Sequence, residues 1–167
     1  MSAATPAPIY TADVLDAHPD WVAAAPLFGD FGGHLAFHGV IETVKVFEDN
    51  LLVKQTLAQP GEGRVLVVDG GGSRRCALCG GNVAALARDN GWAGLVIYGS
   101  IRDRHEIAEV AVGLKALGTH PRKTIKRGEG QTSVPVTFAG VTFTPGHYLV
   151  ADGDGLVVGP TAPSLGG

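Results

Sequence analysis

Two short apolar runs that flank a glycine-rich segment and a helical pattern set the strongest constraint on how this chain can fold. The runs cover residues 64–69 (RVLVVD) and 94–98 (GLVIY), and neither alternates apolar with polar side chains. Such continuous runs are typical of strands that are buried on both faces. Between them, a helix is expected from about Gly80, with the pair Asn90-Gly91 as its C-terminal stop. This order predicts a right-handed βαβ unit with two parallel strands.

The segments on either side of this unit predict a mixed α/β domain. Before it, we expect a short helix capped by Thr11, a strand at residues 39–47, and a helix capped by Asp49 that ends near residue 59. After it, we expect a short helical stretch near residues 103–109. The strands predicted beyond that stretch cover residues 116–119, 134–138, 141–143, 147–151 and 156–158. Glycine-containing turns between the last strands favour an antiparallel C-terminal part.

The length of the chain, 167 residues, favours one domain with a sizeable core. We place this domain at residues 11–159. An Ala/Pro-rich arm at residues 1–10 and a tail at residues 160–167 are expected to be loose.

The charge content bears on the partners that the chain can have. Charged residues make up 17% of the sequence, against about 25% in an average domain, so we expect part of the surface to be covered in a homo-oligomer. The net charge of −3 gives no general attraction to nucleic acid or to an anionic membrane. No apolar run could cross a membrane, and residues 1–8 do not resemble a secretory signal. We therefore expect a cytoplasmic protein.

The glycine run that follows the first apolar strand does not match the nucleotide-binding motifs. Gly70-x-Gly72-x-x-Arg75 lacks the third glycine of the dinucleotide fingerprint. A methyltransferase loop of the form Asp-x-Gly-x-Gly fits equally poorly, because Asp69 is followed by Gly-Gly-Gly-Ser. The sequence contains no Gly-x4-Gly-Lys-Ser/Thr phosphate loop.

The two cysteines, Cys76 and Cys79, form a CxxC pair that could act as a redox dithiol or as half of a zinc site. Zinc would need two further ligands, and the pair His34 and His38 lies among glycines with no helical pattern. We therefore interpret the cysteines as reduced, small apolar side chains. The basic residues within 122–127 (RKTIKR) are interpreted as a solvated loop.

A group of chemically useful residues is expected where the two strands of the βαβ unit end, because ligands of open α/β sheets bind at the carboxyl ends of the strands. After the first strand, the start of the helix offers backbone N–H groups that can hold a carboxylate. These N–H groups belong to Gly80, Gly81, Asn82 and Val83.

Three further residues follow the second strand. Arg102 offers a planar fork for a carboxylate or a polarised carbonyl oxygen, and Asp103 is a hard oxygen ligand suited to Mg²⁺ or Mn²⁺. Glu106 lies on the same face of a helical turn. Alternatively, the same residues could form the start of a surface helix that is capped by Asp103 and has no catalytic or binding role.

The spacing of these residues resembles a known family. Gly81, twenty intervening residues, Arg102-Asp103, two more residues and Glu106 reproduce the pattern G-x20-R-D-x2-E/D of the class II pyruvate aldolases related to the regulator of ribonuclease activity A, the RraA-like family. Other segments similar to this family follow in the same order: Phe31-Gly-Gly, Thr43-Val-Lys45, Glu48-Asp-Asn50, Val68-Asp-Gly70, Gly113-Leu-Lys-Ala-Leu-Gly118-Thr, Pro121-Arg-Lys123, Gly140-Val141, Pro145-Gly146 and Ala151-Asp-Gly-Asp-Gly155. The resemblance covers about residues 11–158 and implies a swivelling β/β/α fold and a homotrimeric ring, sometimes doubled to a hexamer.

The resemblance also implies an activity. A 2-oxo acid would bind the start of the helix and Arg102, with the divalent cation, Mg²⁺ or Mn²⁺, on Asp103. The implied reactions are cleavage of 4-hydroxy-4-methyl-2-oxoglutarate to pyruvate and decarboxylation of oxaloacetate, both through a pyruvate enolate. Arg102 would stabilise the enolate charge, and Glu106 or another carboxylate would order the water that acts as base in the cleavage. His147 stands where many relatives have aspartate.

The same family implies a second function, because it is named for a protein that binds and inhibits ribonuclease E or an associated RNA helicase. Such binding would use the outer surface of the ring. The acid at Glu106 favours the enzyme, since regulator-type members tend to lack it. A Schiff-base aldolase that uses Lys45, Lys54 or Lys115 is disfavoured, because no lysine belongs to the predicted site.

Overall fold

The computed structural model describes residues 6–165 as one mixed sheet covered by short helices. The helices are α1 (Thr11–Ala17), α2 (Leu51–Leu57), α3 (Gly81–Asp89) and α4 (Arg104–Ile107). The strands are β1 (Val22–Ala23), β2 (Gly29–Asp30), β3 (Phe37–Lys45), β4 (Val65–Asp69), β5 (Ala77–Cys79), β6 (Gly94–Ile101), β7 (Gly113–Thr119), β8 (Gln131–Thr132), β9 (Val136–Phe138), β10 (Val141–Phe143), β11 (Tyr148–Asp152) and β12 (Gly155–Gly159). The first five residues of the predicted arm and the last two of the predicted tail lie outside the described residues.

The centre of the sheet is parallel. Strands β3, β4, β6 and β7 lie side by side in this order, and β4 pairs with β6 in register, with Val67 opposite Val96. Strand β5 and helix α3 connect β4 to β6, so the predicted pair of parallel strands joined through a helix is confirmed.

The C-terminal part is antiparallel, as predicted. Strand β11 pairs with β12 through the turn before Gly155, and it also pairs antiparallel with β3. Strands β9 and β10 form a separate hairpin whose turn uses positive φ at Ala139 and Gly140. The predicted fold class, an α/β domain with a central βαβ unit and a largely antiparallel C-terminal part, is therefore confirmed.

The core explains why the apolar runs are continuous. On β4, Leu66 and Val68 pack into the cluster under α2 and α3, whereas Val65 and Val67 pack into the cluster under β9 and β10. All four side chains are fully buried. Because both faces of the strand are covered, its residues are apolar on both faces and do not alternate with polar ones.

Several predicted boundaries and one predicted role were wrong. Thr11 lies inside α1 and does not cap it; its N–H and Oγ1 donate to the carboxylate of Asp152 at 2.7 and 2.9 Å. The strand predicted at residues 39–47 covers residues 37–45, and the strand predicted at residues 116–119 begins at Gly113. The short strands β1, β2, β5 and β8 were not predicted, because two or three residues carry too little pattern to reveal a pairing that depends on distant neighbours.

A buried polar network joins the sheet to α1. Lys115 on β7 is only 2% exposed, and its Nζ donates to Asp30 Oδ1 at 2.7 Å and to the backbone oxygen of Asp152 at 2.8 Å. The carboxylate of Asp152 in turn accepts the two hydrogen bonds from Thr11. Nζ of Lys115 is thus buried and bonded to two acceptors, so it is not free to attack a carbonyl carbon as a Schiff-base nucleophile.

Within the described residues, each helix is too short to traverse a lipid bilayer.

Candidate functional site

The predicted site residues meet where β5, β6 and β7 end. The N–H of Arg102, just after β6, donates to the backbone oxygen of Cys79 on β5 at 2.9 Å. The N–H of His120, just after β7, donates to the backbone oxygen of Ile101 at 2.9 Å. These two hydrogen bonds bring the start of α3, the Arg102-Asp103 pair and the end of β7 to one edge of the sheet.

Asp103 adopts a left-handed conformation, with φ of 58°, at the turn from β6 into α4. Aspartate tolerates this region better than most residues. Its backbone oxygen accepts the N–H groups of Glu106 and Ile107, each at 2.9 Å. Its Oδ2 accepts the N–H of Gly81 at 3.0 Å, so the side chain points at the start of α3.

Two glycines let the acidic side chains approach α3 this closely. A Cβ atom on Gly80 would lie 2.8 Å from Asp103 Oδ2 and 3.4 Å from Arg102 Cγ. A Cβ atom on Gly81 would collide with Glu106 Oε2. The predicted spacing therefore has a geometric basis, because the glycine pair contacts all three of the side chains that follow β6.

The start of α3 retains part of its capacity to bind an anion. The N–H of Gly81 is already taken by Asp103, whereas the N–H groups of Asn82 and Val83 have no hydrogen-bond partner among the described residues. Gly80 is the N-cap residue of this helix. Of the four predicted backbone groups, those of Asn82 and Val83 are thus the ones that fit a carboxylate at the positive end of the helix.

The guanidinium of Arg102 is available to a ligand. Its Nη1 lies 3.4 Å from the backbone oxygen of Pro121, and no carboxylate within the described range 6–165 is at ion-pair distance from it. Glu106 is solvent-accessible, with 57% of its side chain exposed and His105 Nε2 at 3.8 Å from Oε1. The site therefore presents the Arg102 guanidinium and the carboxylates of Asp103 and Glu106 to a ligand.

A cavity of about 330 Å³ opens beside these residues. It is lined by Arg102, Asp103, Arg104, His105, Thr119, His120 and Pro121. His120 and its neighbours were not among the predicted site residues. The signal that could have found them is the same strand-end rule, applied to β7, whose last residue was predicted correctly but whose parallel pairing with β6 was not predicted.

The donor set suits one kind of metal ion. Within residues 6–165, no group of three His, Cys, Asp or Glu side chains could enclose an ion. Mg²⁺ is commonly held by one or two carboxylates, with water and substrate as the other ligands. Asp103 Oδ1 has no hydrogen-bond partner in the described part of the chain, so this carboxylate fits an Mg²⁺ or Mn²⁺ ion that is held mainly by water and substrate. It does not fit a zinc ion enclosed by protein ligands.

The cysteines lie beneath the site and do not take part in it. Both are buried and free, and burial raises the pKa of the Cys79 thiol to about 12. Burial also raises the pKa of Cys76. Neither side chain is therefore a thiolate at neutral pH, which is the reactive form that redox chemistry would need.

The glycine run after β4 is a tight turn. Gly70 and Gly72 donate their N–H groups to the backbone oxygen of Tyr98, each at 3.1 Å, and Gly71 donates to Asp69 Oδ1 at 2.9 Å. Because these three N–H groups are used within the protein, they are not free to hold a phosphate group.

A second cavity, of about 340 Å³, is lined in part by the segment that follows β7. Residues within 122–127, predicted as a solvated loop, line it together with Glu48, Arg75 and Cys76. Arg75 donates to both oxygens of Glu48, at 2.7 and 2.6 Å, and these hydrogen bonds, with one from Ser73, lower the pKa of Glu48 to about 2. None of the predicted site residues lines this cavity.

Comparison with known proteins gives consistent matches over almost the whole chain. The family model RraA-like, described as Aldolase/RraA, matches residues 11–158. A relative from Alkalilimnicola ehrlichii, named as a candidate 4-hydroxy-4-methyl-2-oxoglutarate aldolase, is 55% identical over 149 residues, which are 89% of this chain and 92% of the relative.

Two solved structures are similar, each with a TM-score of 0.91. The RNA-processing inhibitor RraA from Thermus thermophilis is 47% identical, and the match covers 93% of this chain and 95% of that one. An S-adenosylmethionine:2-dimethylmenaquinone methyltransferase from Geobacillus kaustophilus is 44% identical, with 92% and 96% covered.

Proposed function

The chain belongs to the RraA-like family, and from this premise we propose that it is a divalent-metal-dependent lyase of 2-oxo acids. Its substrates in this proposal are 4-hydroxy-4-methyl-2-oxoglutarate, cleaved to pyruvate, and oxaloacetate, which loses CO₂. The first of these substrates agrees with the name of the relative from Alkalilimnicola ehrlichii. The observation that carries the proposal is the contact of Arg102, Asp103 and Glu106 with the glycine pair that opens α3.

Two groups of the chain bind and polarise the 2-oxo acid in this mechanism. The free N–H groups of Asn82 and Val83 hold the substrate carboxylate at the positive end of α3. Arg102 directs its guanidinium at the keto oxygen, where negative charge develops as the enolate forms. A divalent cation on Asp103 would supply Lewis-acid polarisation of the same 2-oxo group.

The two reactions differ in what they require of Glu106. In the cleavage, the C4 hydroxyl loses its proton, the C3–C4 bond breaks, and its electron pair forms the enolate of one pyruvate while C4 becomes the keto carbon of a second pyruvate. Glu106, exposed to solvent beside Gly81, holds the water that accepts this proton. In the decarboxylation, CO₂ leaves and no hydroxyl proton has to be removed.

An assay of pyruvate release from both substrates tests this proposal. We expect activity with Mg²⁺ or Mn²⁺, loss of activity in chelator, and recovery when the cation is returned. Asp103→Ala should abolish both activities, whereas the matched control Asp20→Ala, at an exposed position away from the site, should leave them unchanged. Full activity in chelator, or trapping of pyruvate on a lysine by borohydride, would overturn the metal-dependent mechanism.

We further propose that the chain forms a homotrimeric ring, or a hexamer of two rings. Large apolar side chains are exposed on the single chain, including Leu35 at 55%, Phe47 at 55% and Ile125 at 71%. Together with the low charge content, these side chains support a surface that is covered in an assembly. Light scattering should give three or six times 17.2 kDa, and a stable monomer at micromolar concentration would contradict the ring.

A second candidate function is inhibition of ribonuclease E through protein binding. The likeness to the RNA-processing inhibitor RraA supports it. Cleavage of an RNA substrate by purified ribonuclease E, with and without a molar excess of this protein, tests it directly. A regulator should reduce cleavage equally well as wild type and as Asp103→Ala, because the proposed binding surface lies outside the site.

A further inference from the structure

We propose that His120 determines substrate specificity by donating a hydrogen bond to the second, distal carboxylate of a dicarboxylic 2-oxo acid. The proposal rests on the function proposed above, since it concerns the same site. It assigns to His120 the choice between dicarboxylic and monocarboxylic 2-oxo acids.

The position of His120 suits this role. It follows β7 directly, and its N–H bond to Ile101 sets it beside the end of β6. His120 and Arg102 line the same cavity of about 330 Å³, and Arg102 Nη1 reaches the backbone oxygen of Pro121, the residue after His120, at 3.4 Å. The start of α3 does not line this cavity, whereas Arg102 does, so a substrate whose keto end is held by Arg102 has His120 on a wall of the same cavity.

The hydrogen bonding of the imidazole determines which nitrogen carries the proton. Nδ1 of His120 accepts the backbone N–H of Arg122 at 3.1 Å. A neutral imidazole has one donor and one acceptor nitrogen, so its proton is on Nε2 while this bond is present. His120, which lines the cavity, thus offers Nε2 as a hydrogen-bond donor, and this nitrogen does not act as a base while the bond to Arg122 is present.

The side chains of Arg104 and His105, which also line the cavity, already have neighbours. The guanidinium of Arg104 lies 5.0 Å from the centre of the Phe31 ring, and His105 Nε2 lies 3.8 Å from Glu106 Oε1. Among the described residues, Nε2 of His120 has no hydrogen-bond partner. A donor fixed in this way favours a ligand that supplies an acceptor, because a ligand without one displaces water from the donor and does not replace its hydrogen bond.

Binding of two unreactive ligands tests the assignment. Pyruvate carries the 2-oxo acid end alone, and 2-oxoglutarate adds a distal carboxylate on a five-carbon chain like that of the proposed aldol substrate. Their Kd values would be measured by calorimetry in the presence of Mg²⁺ for wild type and His120→Asn. Asparagine can keep the turn, since its side-chain oxygen accepts the N–H two residues on, but its amide does not reach as far as Nε2.

We expect His120→Asn to raise the Kd of 2-oxoglutarate about tenfold, which corresponds to the loss of one hydrogen bond. The Kd of pyruvate should change less than about twofold. The control His147→Asn, at an exposed turn position, should change neither Kd. Equal weakening of both ligands would make His120 a structural part of the turn, and unchanged 2-oxoglutarate binding would remove it from the site; either result overturns the proposal. If these binding differences are found but no pyruvate is released from the aldol substrate, the proposed lyase function falls and the assignment of His120 stands.

Discussion

Two groups of polar residues in this domain differ in how many of their hydrogen-bonding atoms have a partner within the protein. The open site, made of Arg102, Asp103, Glu106 and His120, keeps donors and acceptors that no described residue satisfies. In the closed network, made of Thr11, Asp30, Lys115 and Asp152, the charged and hydroxyl groups are bonded to one another.

The difference follows from where each group lies on the sheet. The open site lies at the carboxyl ends of parallel strands, where each strand leads into a loop or a helix and side chains can face solvent. The closed network lies between β7, β2, β11 and α1, where a polar atom without a partner would carry a full desolvation penalty. In this domain, polar groups without hydrogen-bond partners thus mark the candidate site, whereas polar groups bonded to one another stabilise the fold.

The largest expected effect that tests this contrast is on activity. Arg102→Ala should lower kcat about 10²–10³-fold in both reactions, because a donor aimed at developing charge is lost. Arg102→Lys should recover only part of this loss, since one ammonium does not replace the planar fork. The free energy of unfolding, measured by urea titration, should stay within about 0.5 kcal/mol of wild type. If the free energy of unfolding fell by as much as the activation free energy of the reaction rose, Arg102 would act mainly by stabilising the fold.

The closed network should show the reverse pattern. Lys115→Met should lower the free energy of unfolding by about 2–3 kcal/mol, less than for a fully buried pair because the side chain of Asp30 is 30% exposed. The kcat of the molecules that remain folded should be unchanged. Lys45→Met, at an exposed position of β3, is the matched control and should leave stability unchanged. A fall in kcat without a change in the free energy of unfolding would show that Lys115 takes part in the reaction.

The smallest effect separates the two reactions. Glu106→Gln should slow the aldol cleavage about tenfold or more while oxaloacetate decarboxylation changes only a few-fold, because only the cleavage removes a hydroxyl proton. Gly81→Ala should act in the same direction, since the added methyl group displaces the Glu106 carboxylate. Pyruvate release from each substrate measures both variants. Equal losses of rate in the two reactions would show that Glu106 maintains the geometry of the site and does not hold the water that acts as base.

The parts of the structure that could be predicted from the sequence are those with dense local patterns. The runs at β4 and β6 predicted parallel strands correctly, because burial on both faces leaves a continuous apolar signature. The spacing from Gly81 to Glu106 predicted which segments meet, since the helix start and the end of the next strand must share one edge of the sheet.

The parts that could not be predicted depend on contacts between distant residues. Thr11 has the side chain of a helix cap, but its partner is Asp152, 141 residues away. The N–H of Gly81 was expected to face a ligand, and it is taken by Asp103, whose sequence separation of 22 residues gives no local signal for this bond. His120 carries no motif of its own, and its relevance comes from the register of β7 beside β6.

The hydrogen bond from Gly81 to Asp103 has a consequence for the entropy of ligand binding. It holds the Asp103 carboxylate at the start of α3 before any ligand enters, so this carboxylate loses less conformational freedom on binding a cation or substrate than an unbonded one would. A glutamate at this position keeps the charge but places its carboxylate one methylene further from the backbone, so it does not reproduce this bond in the same geometry. The site is therefore pre-organised by a backbone contact, and its affinity is sensitive to the length of one side chain as well as to its charge.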